Sequence, residues 1–248
     1  MKRILNSKVF VNLIMCYSNS STSKNIDLAK RYKKTIESIP EQVPIYFASA
    51  FTFPKWRIVT NENDVQLMRW GLVPGWFNGH SDLEMAKTTF NARIETLSEK
   101  ASFKLLIKRS RCIVPSTGFF EWKHENKQKI PHFIYPTNDS VFSMAGLYDS
   151  WMNPNSNEVL NSFTIITSKA NDFMAEIHNS KKRMPLILNA KDEENWLNGE
   201  DEIKDFQLNS NPDLDAFPVD SKILMSSEPN VLEAQRKFEP KNSQQSLF

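Results

Sequence analysis

The chain has 248 residues, with 31 Lys and Arg against 29 Asp and Glu, so its formal net charge is only +2. Hydrophobic residues at 40% and charged residues at 24% are the proportions of an ordinary folded domain, and the near balance of charge excludes nucleic-acid binding through bulk positive charge while allowing a local basic groove. No apolar run approaches the roughly 20 residues of a membrane span, so no membrane association is expected. Cys16 and Cys112 form no C-x-x-C pair, and no G-x-G-x-x-G, Walker A or G-x-S-x-G sequence occurs. The expectation is therefore a reduced, cytoplasmic protein without metal or organic cofactor.

Residues 1–14 read as a mis-called start or a leader. Met1-Lys2-Arg3 ahead of Val9-Phe10-Val11 has the outline of a signal peptide, and Leu13-Ile14-Met15-Cys16 that of a lipoprotein cleavage box. The apolar stretch is short and broken by Asn6, Ser7, Lys8 and Asn12, and Met15 stands where a small residue is expected. Residues 18–23 are expected to be a polar loop. A helix is predicted over 26–36, capped by Ser23 or Asn25, with Leu28, Tyr32 and Ile36 on one side. Residues 43–53, 56–60 and 65–70 read as strands, the last ending in a turn at 71–76. A short helix is predicted at 101–109, and short strands at 111–114, 118–123, 131–135, 141–147 and 162–168. Asn171 caps a helix over 171–178, and another covers 192–197. From Glu239 the chain is a polar tail. The class is α+β: one domain, 15–238, with a β-rich core and helices outside it.

The richest chemistry lies at Met15-Cys16. If translation starts at Met15 and that residue is trimmed, Cys16 carries an α-amine with pKa near ~7.7–8.0 beside a thiol near ~8.5. Such a residue condenses with an aldehyde: the amine forms an imine and the thiol closes on it as a thiazolidine. An internal cysteine cannot do this. Four further segments stand out: Arg69-Trp70-Gly71-Leu72-Val73-Pro74-Gly75-Trp76, Phe90-Asn91-Ala92-Arg93-Ile94-Glu95, Gly118-Phe119-Phe120-Glu121-Trp122, and His178 ahead of Arg183-Met184-Pro185. Singly each has a bland reading. Trp70 and Trp76 suit a core or a turn, and Asn91 a turn. Glu121 on a strand alternates outward, and His178 suits a helix end. Arg69, Arg93 and Arg183 suit surface ion pairs.

Together, in this order and after Met15-Cys16, these segments resemble the SRAP family of abasic-site-processing proteins, formerly called SOS-response-associated peptidases. The resemblance runs from Met15 to about Val219. It implies a compact α+β domain with curled, barrel-like β-sheets and a channel for single-stranded DNA bearing abasic sites. Cys16 would form a thiazolidine crosslink with the open-ring sugar. Asn91 would hold the sugar or the cysteine, Glu121 would move protons, and His178 would act as acid/base towards the sugar hydroxyl and 3′ phosphate. Strand cleavage by β-elimination and crosslink reversal are further implied activities. Arg93, Arg183 and Arg69 would grip phosphates, and Trp76 would stack on a base.

Three departures from the family pattern bear on this. Tyr17-Ser18 replace the usual Gly-Arg, so a phosphate-binding arginine is absent or supplied elsewhere. Asn179-Ser180-Lys181-Lys182 stretch the spacing between His178 and Arg183. Residues 1–14, if retained, would block the Cys16 amine. Gln244-Gln245-Ser246-Leu247-Phe248 resembles a sliding-clamp-binding peptide, with Gln244, Leu247 and Phe248 as its anchors. Rival readings are a thiol peptidase using Cys16, His178 and Asn91 or Glu121, and a non-enzymatic single-strand binder. A monomer is expected, associated with the nucleoid.

Overall fold

The computed structural model describes residues 16–79, 81–199, 202–210 and 212–239. Met15, the leader at 1–14 and the clamp-like peptide with Gln244, Leu247 and Phe248 lie outside the described residues. The elements in chain order are β1 (Ser18–Ser21), α1 (Asn25–Tyr32), β2 (Ile45–Ser49), β3 (Lys55–Ile58), β4 (Gln66–Trp70), α2 (Asp82–Lys87) and β5 (Asn91–Arg93). Then come β6 (Arg111–Ser116), β7 (Gly118–Glu125), β8 (Gln128–Pro136), β9 (Phe142–Met152), β10 (Val159–Lys169), α3 (Asp172–Ile177), β11 (Arg183–Pro185) and β12 (Ile187–Leu188). The last are α4 (Glu193–Asn198), α5 (Ile203–Asn209), β13 (Leu214–Pro218) and α6 (Ser221–Leu224).

Two sheets carry the α+β fold. The first, of five strands in the order β13-β8-β7-β1-β2, is antiparallel throughout. The second has the order β12-β9-β10-β4-β3, with β6 paired to β9, and β5 and β11 paired to β10. Strands β4 and β5 run parallel to β10. Neither order closes on itself among the described residues, so the sheets are curled layers rather than a closed barrel. No helix among the described residues is long and apolar enough to cross a membrane.

The main core lies between the sheets, where Trp56, Met68, Trp70, Phe163 and Ile165 of the second meet Phe119 and Ile134 of the first. A second layer packs Leu28 and Tyr32 of α1, Trp196 of α4 and Phe206 of α5 against Ile113, Leu147 and Ile166. A third packs Phe47, Phe120 and Phe133 of the first sheet against Val219 and Leu224. Each fully buried aromatic or aliphatic side chain contributes about 1.5–3 kcal/mol. Strand β7 is thus covered on both faces: Phe119 points into one core and Phe120 into another. For that reason the outward orientation that simple alternation suggests for Glu121 does not hold.

Several elements differ from the sequence reading. Residues 18–21 form not a loop but β1, an inner strand of the first sheet paired with both β2 and β7. Its Ser-Asn-Ser-Ser sequence is buried, and its polar atoms are satisfied inside the protein. Asn19 Nδ2 donates to Ser116 Oγ at 2.9 Å, and Gln235 Nε2 donates to Ser20 Oγ at 2.7 Å. Helix α1 stops at Tyr32, because Lys33 turns into the left-handed region at φ 53° and Thr35 N–H then bonds Asn63 O at 2.9 Å. Asn25 is not the cap. Its Oδ1 instead accepts from Arg57 at 3.1 Å, and its N–H donates to Glu41 Oε1 at 3.0 Å. The helix expected at 101–109 is a series of turns with one 3₁₀ turn at Leu106–Lys108: the N–H groups of Phe103, Leu106 and Arg109 bond the carbonyls of Lys100, Phe103 and Leu106, each three residues back. Asn91 opens strand β5 rather than occupying a turn. The cap at Asn171 is present: its Oδ1 accepts from Met174 N–H at 2.9 Å.

Candidate active site

Cys16 precedes β1 and is placed by both sheets. Ser18 of β1 pairs with Phe120 of β7, which sets Glu121 beside the start of β1. Tyr17 O accepts from Ala50 N–H at 2.7 Å on the other side. From the second sheet, Asn91 of β5 lies in register with Ile165 of β10, and its Nδ2 donates to Cys16 O at 3.2 Å. Behind β1, the buried guanidinium of Arg57 donates to Ser23 O at 2.7 Å and Ser21 Oγ at 2.8 Å. It thereby pins the far end of the strand that carries Cys16.

His178 follows the last turn of α3, where its N–H bonds Met174 O at 2.7 Å. The four residues that separate it from Arg183 fold into a tight turn. Lys182 N–H bonds His178 O at 2.8 Å, Lys182 sits at φ 52°, and Lys182 O accepts from Ala170 N–H. The stretched spacing is thereby absorbed. His178 Nδ1 lies 2.9 Å from Arg183 O and 3.5 Å from Glu121 Oε1. Lys181 and Lys182 remain exposed at the turn.

The three central side chains are buried: Cys16 is 3% exposed, and Glu121 and His178 are 0% exposed. Burial pushes the Glu121 carboxyl up to about 8, while the Cys16 thiol and the Trp122 N–H pull it back. Burial, then the charge and hydrogen bonding of Glu121, raise the Cys16 thiol well above its ordinary value, and the Arg183 charge opposes them. Near neutral pH the site therefore holds a protonated thiol next to a carboxyl poised to give or take a proton. Such a pair suits proton transfer around a reacting carbonyl better than attack by a preformed thiolate.

The cationic and aromatic residues occupy differing positions. Arg183 forks onto Glu95 at 2.5 and 3.0 Å and donates to Thr167 O at 2.6 Å. Arg69 pairs with Asp82 at 2.7 Å and lies over the Phe53 ring. Arg93, the last residue of β5, is exposed. Trp76 stands 54% exposed on the turn after Gly71. Trp70, by contrast, is core: its Nε1 donates to Phe90 O at 2.9 Å and its ring stacks on Phe163. Cys112 is fully buried, with its thiol raised by burial alone. Tyr17, in the place of the usual glycine, packs edge-on against Phe51 and Phe90 at 5.2 and 5.9 Å. Its positioning role, like that of Arg57, gave no sequence signal, because only the fold brings their partners near.

A family model described as SOS response associated peptidase (SRAP) matches residues 15–225. Abasic site processing protein YoqW of Bacillus subtilis is 36% identical over 202 residues, covering 76% of this chain and 87% of that protein. Abasic site processing protein HMCES of Xenopus tropicalis is 37% identical over 166 residues, covering 59% of this chain and 49% of that protein. A crystal structure of a Bacteroides thetaiotaomicron protein superposes with TM-score 0.83 at 38% identity, covering 90% of this chain and 100% of that one. With Cys16, Asn91, Glu121 and His178 gathered in one buried site and the family model spanning most of the sequence, the chain belongs to the SRAP family.

Proposed function

We propose that this protein processes abasic sites in single-stranded DNA by forming a covalent thiazolidine crosslink through Cys16. The observation that carries the reading is the convergence of Cys16, Glu121, His178 and Asn91 from separate elements, in a family whose relatives bear the name abasic site processing protein. The chemistry requires removal of the residues before Cys16, which frees its α-amine. The amine adds to the aldehyde carbon of the ring-opened sugar, giving a carbinolamine. The Glu121 carboxyl protonates the departing hydroxyl, and water leaves as the imine forms. The thiol sulfur then attacks the carbon of the protonated imine, and its proton returns to the Glu121 carboxylate, which restores the carboxyl while the nitrogen keeps its own hydrogen. The balance is one aldehyde and one aminothiol consumed, one thiazolidine and one water formed.

Asn91 holds the cysteine carbonyl and so fixes the backbone that carries both nucleophiles. His178, anchored at Arg183 O, is the acid/base for the sugar hydroxyl and 3′ phosphate in strand cleavage or reversal. Arg93, Arg183 and Arg69 would bind phosphates. For Arg183 and Arg69 this means sharing a guanidinium already paired with Glu95 or Asp82. A peptidase role has less physical support, because a carboxyl beside a buried thiol disfavours the thiolate which that chemistry needs.

The test is intact mass before and after incubation with an oligonucleotide holding one abasic site. The expected result is a chain beginning at Cys16 that gains one oligonucleotide, with no gain in Cys16→Ala. A chain beginning at Cys16 that forms no adduct overturns the proposal. For the sliding clamp, the same protein with and without residues 244–248 is compared in a clamp-binding assay; equal binding removes that partner.

A further inference from the structure

Among the described residues, Cys16, Glu121 and His178 bring a sulfur, a carboxylate oxygen and an imidazole nitrogen within 4.8 Å of one another. We infer that these three side chains form a binding site for a thiophilic divalent metal ion, zinc foremost, that reversibly masks the Cys16 nucleophile. The donor set is mixed sulfur, nitrogen and oxygen, which suits zinc and cobalt and poorly suits magnesium or calcium. A tetrahedral ion with bonds of about 2.0–2.3 Å places its donors roughly 3.3–3.8 Å apart. The cluster therefore needs only a small contraction to close on an ion.

Two further observations point the same way. Asn91 Oδ1 is a buried acceptor without a hydrogen-bond partner among the described residues, while Asn91 Nδ2 is tied to Cys16 O. The side chain that holds the Cys16 backbone thus carries an unsatisfied oxygen. His178 Nδ1 sits 2.9 Å from Arg183 O and 3.5 Å from Glu121 Oε1, so the buried imidazole is held in place at the edge of the carboxylate. The nearest guanidinium, Arg183, is forked onto Glu95, so its charge is offset close by.

Coordination releases the thiol proton to solvent and commits a sulfur lone pair to the ion. The sulfur then cannot close on an imine until the ion is withdrawn. The inference names a regulator of the site described above, but coordination through sulfur does not need a free α-amine and so does not depend on the DNA chemistry. The site went unforeseen because its donors lie 105 and 57 residues apart along the chain (Cys16 to Glu121, then Glu121 to His178), with none of the short spacing that marks a zinc motif in sequence.

The test is titration of the full chain with Co²⁺ in a non-chelating buffer. The expected result is one ion per chain with a near-ultraviolet sulfur-to-cobalt charge-transfer band. That band is lost in Cys16→Ser, kept in Cys112→Ser and displaced by Zn²⁺. Absence of the band in folded wild-type protein, or its persistence in Cys16→Ser, overturns the inference. Free Zn²⁺ at about ten times its Kd leaves about one chain in ten uncomplexed, so adduct formation slows about tenfold and recovers on adding a chelator. Adduct formation indifferent to saturating zinc overturns the masking. No adduct from metal-free protein starting at Cys16, together with an intact cobalt band, refutes the DNA reading and leaves the metal site standing.

Discussion

Replacing Glu121 by Gln should change the pH dependence of stability in a definite direction. The folded carboxyl titrates at about 8, against an ordinary 4.5. Its folded pKa is raised, so it costs nothing below 4.5, and stability is lost as pH rises from there through 8. Between those values the folded state holds one more proton than the unfolded state, and stability falls by about 1.4 kcal/mol per pH unit. The accumulated cost is about 1 kcal/mol at pH 5 and about 3 kcal/mol at pH 7. Glu121→Gln keeps the size of the side chain and removes this term. Its stability relative to wild type should therefore rise by about 2.5 kcal/mol between pH 5 and pH 7. Any fixed cost of burying the amide cancels in that difference. Urea unfolding of both proteins across this range measures it. A difference that stays flat with pH would refute the reasoning. The same variant should form adduct about 10²-fold more slowly or worse, because the proton carrier is gone.

Three other substitutions probe the surroundings of the site. Trp76→Ala, at an exposed ring, should leave the melting temperature unchanged and weaken single-stranded DNA binding by about 1–3 kcal/mol, read by anisotropy of a labelled oligonucleotide. Arg183→Ala removes a positive charge that lowers the Cys16 thiol, so the pH profile for alkylation of Cys16 by a small reagent should move upward; a downward move contradicts the assignment. Gly71→Ala forces a side chain onto φ 107°, with its Cβ 2.9 Å from Ala86 Cβ, and should cost about 2–3 kcal/mol in urea unfolding.

Much of this protein was legible in its sequence because the signals were local. Alternating apolar residues marked most strands of both sheets, and Asn171 announced α3 with a cap that depends only on the next three residues. The ordered segments around Trp70, Asn91, Glu121 and His178 together pointed to the family. Strand β1 escaped notice because Ser-Asn-Ser-Ser carries no apolar pattern. It is a strand only because Ser116, Thr117 and Gln235, from distant segments, satisfy its buried polar groups. The helix read at 101–109 failed for the opposite reason: its local pattern was suggestive, but the chain there closes turns onto carbonyls three residues back instead of a continuous α-helical ladder.

The sequence by itself determined the residue types of the candidate site and the family to which the chain belongs. It could not determine their electrostatics. The alternation that would place Glu121 in solvent is a rule about one sheet face, and here both faces of β7 are covered. Only the tertiary structure decides that this carboxyl is fully buried beside a thiol and an imidazole, and burial is what raises its pKa. Likewise the sequence left Arg183 and Arg69 open between ion pairs and phosphate contacts, and only the fold names their partners, Glu95 and Asp82. Residue identity sets which proton or charge a side chain can carry; the dielectric and the partners that set its strength come from elements far away in the chain.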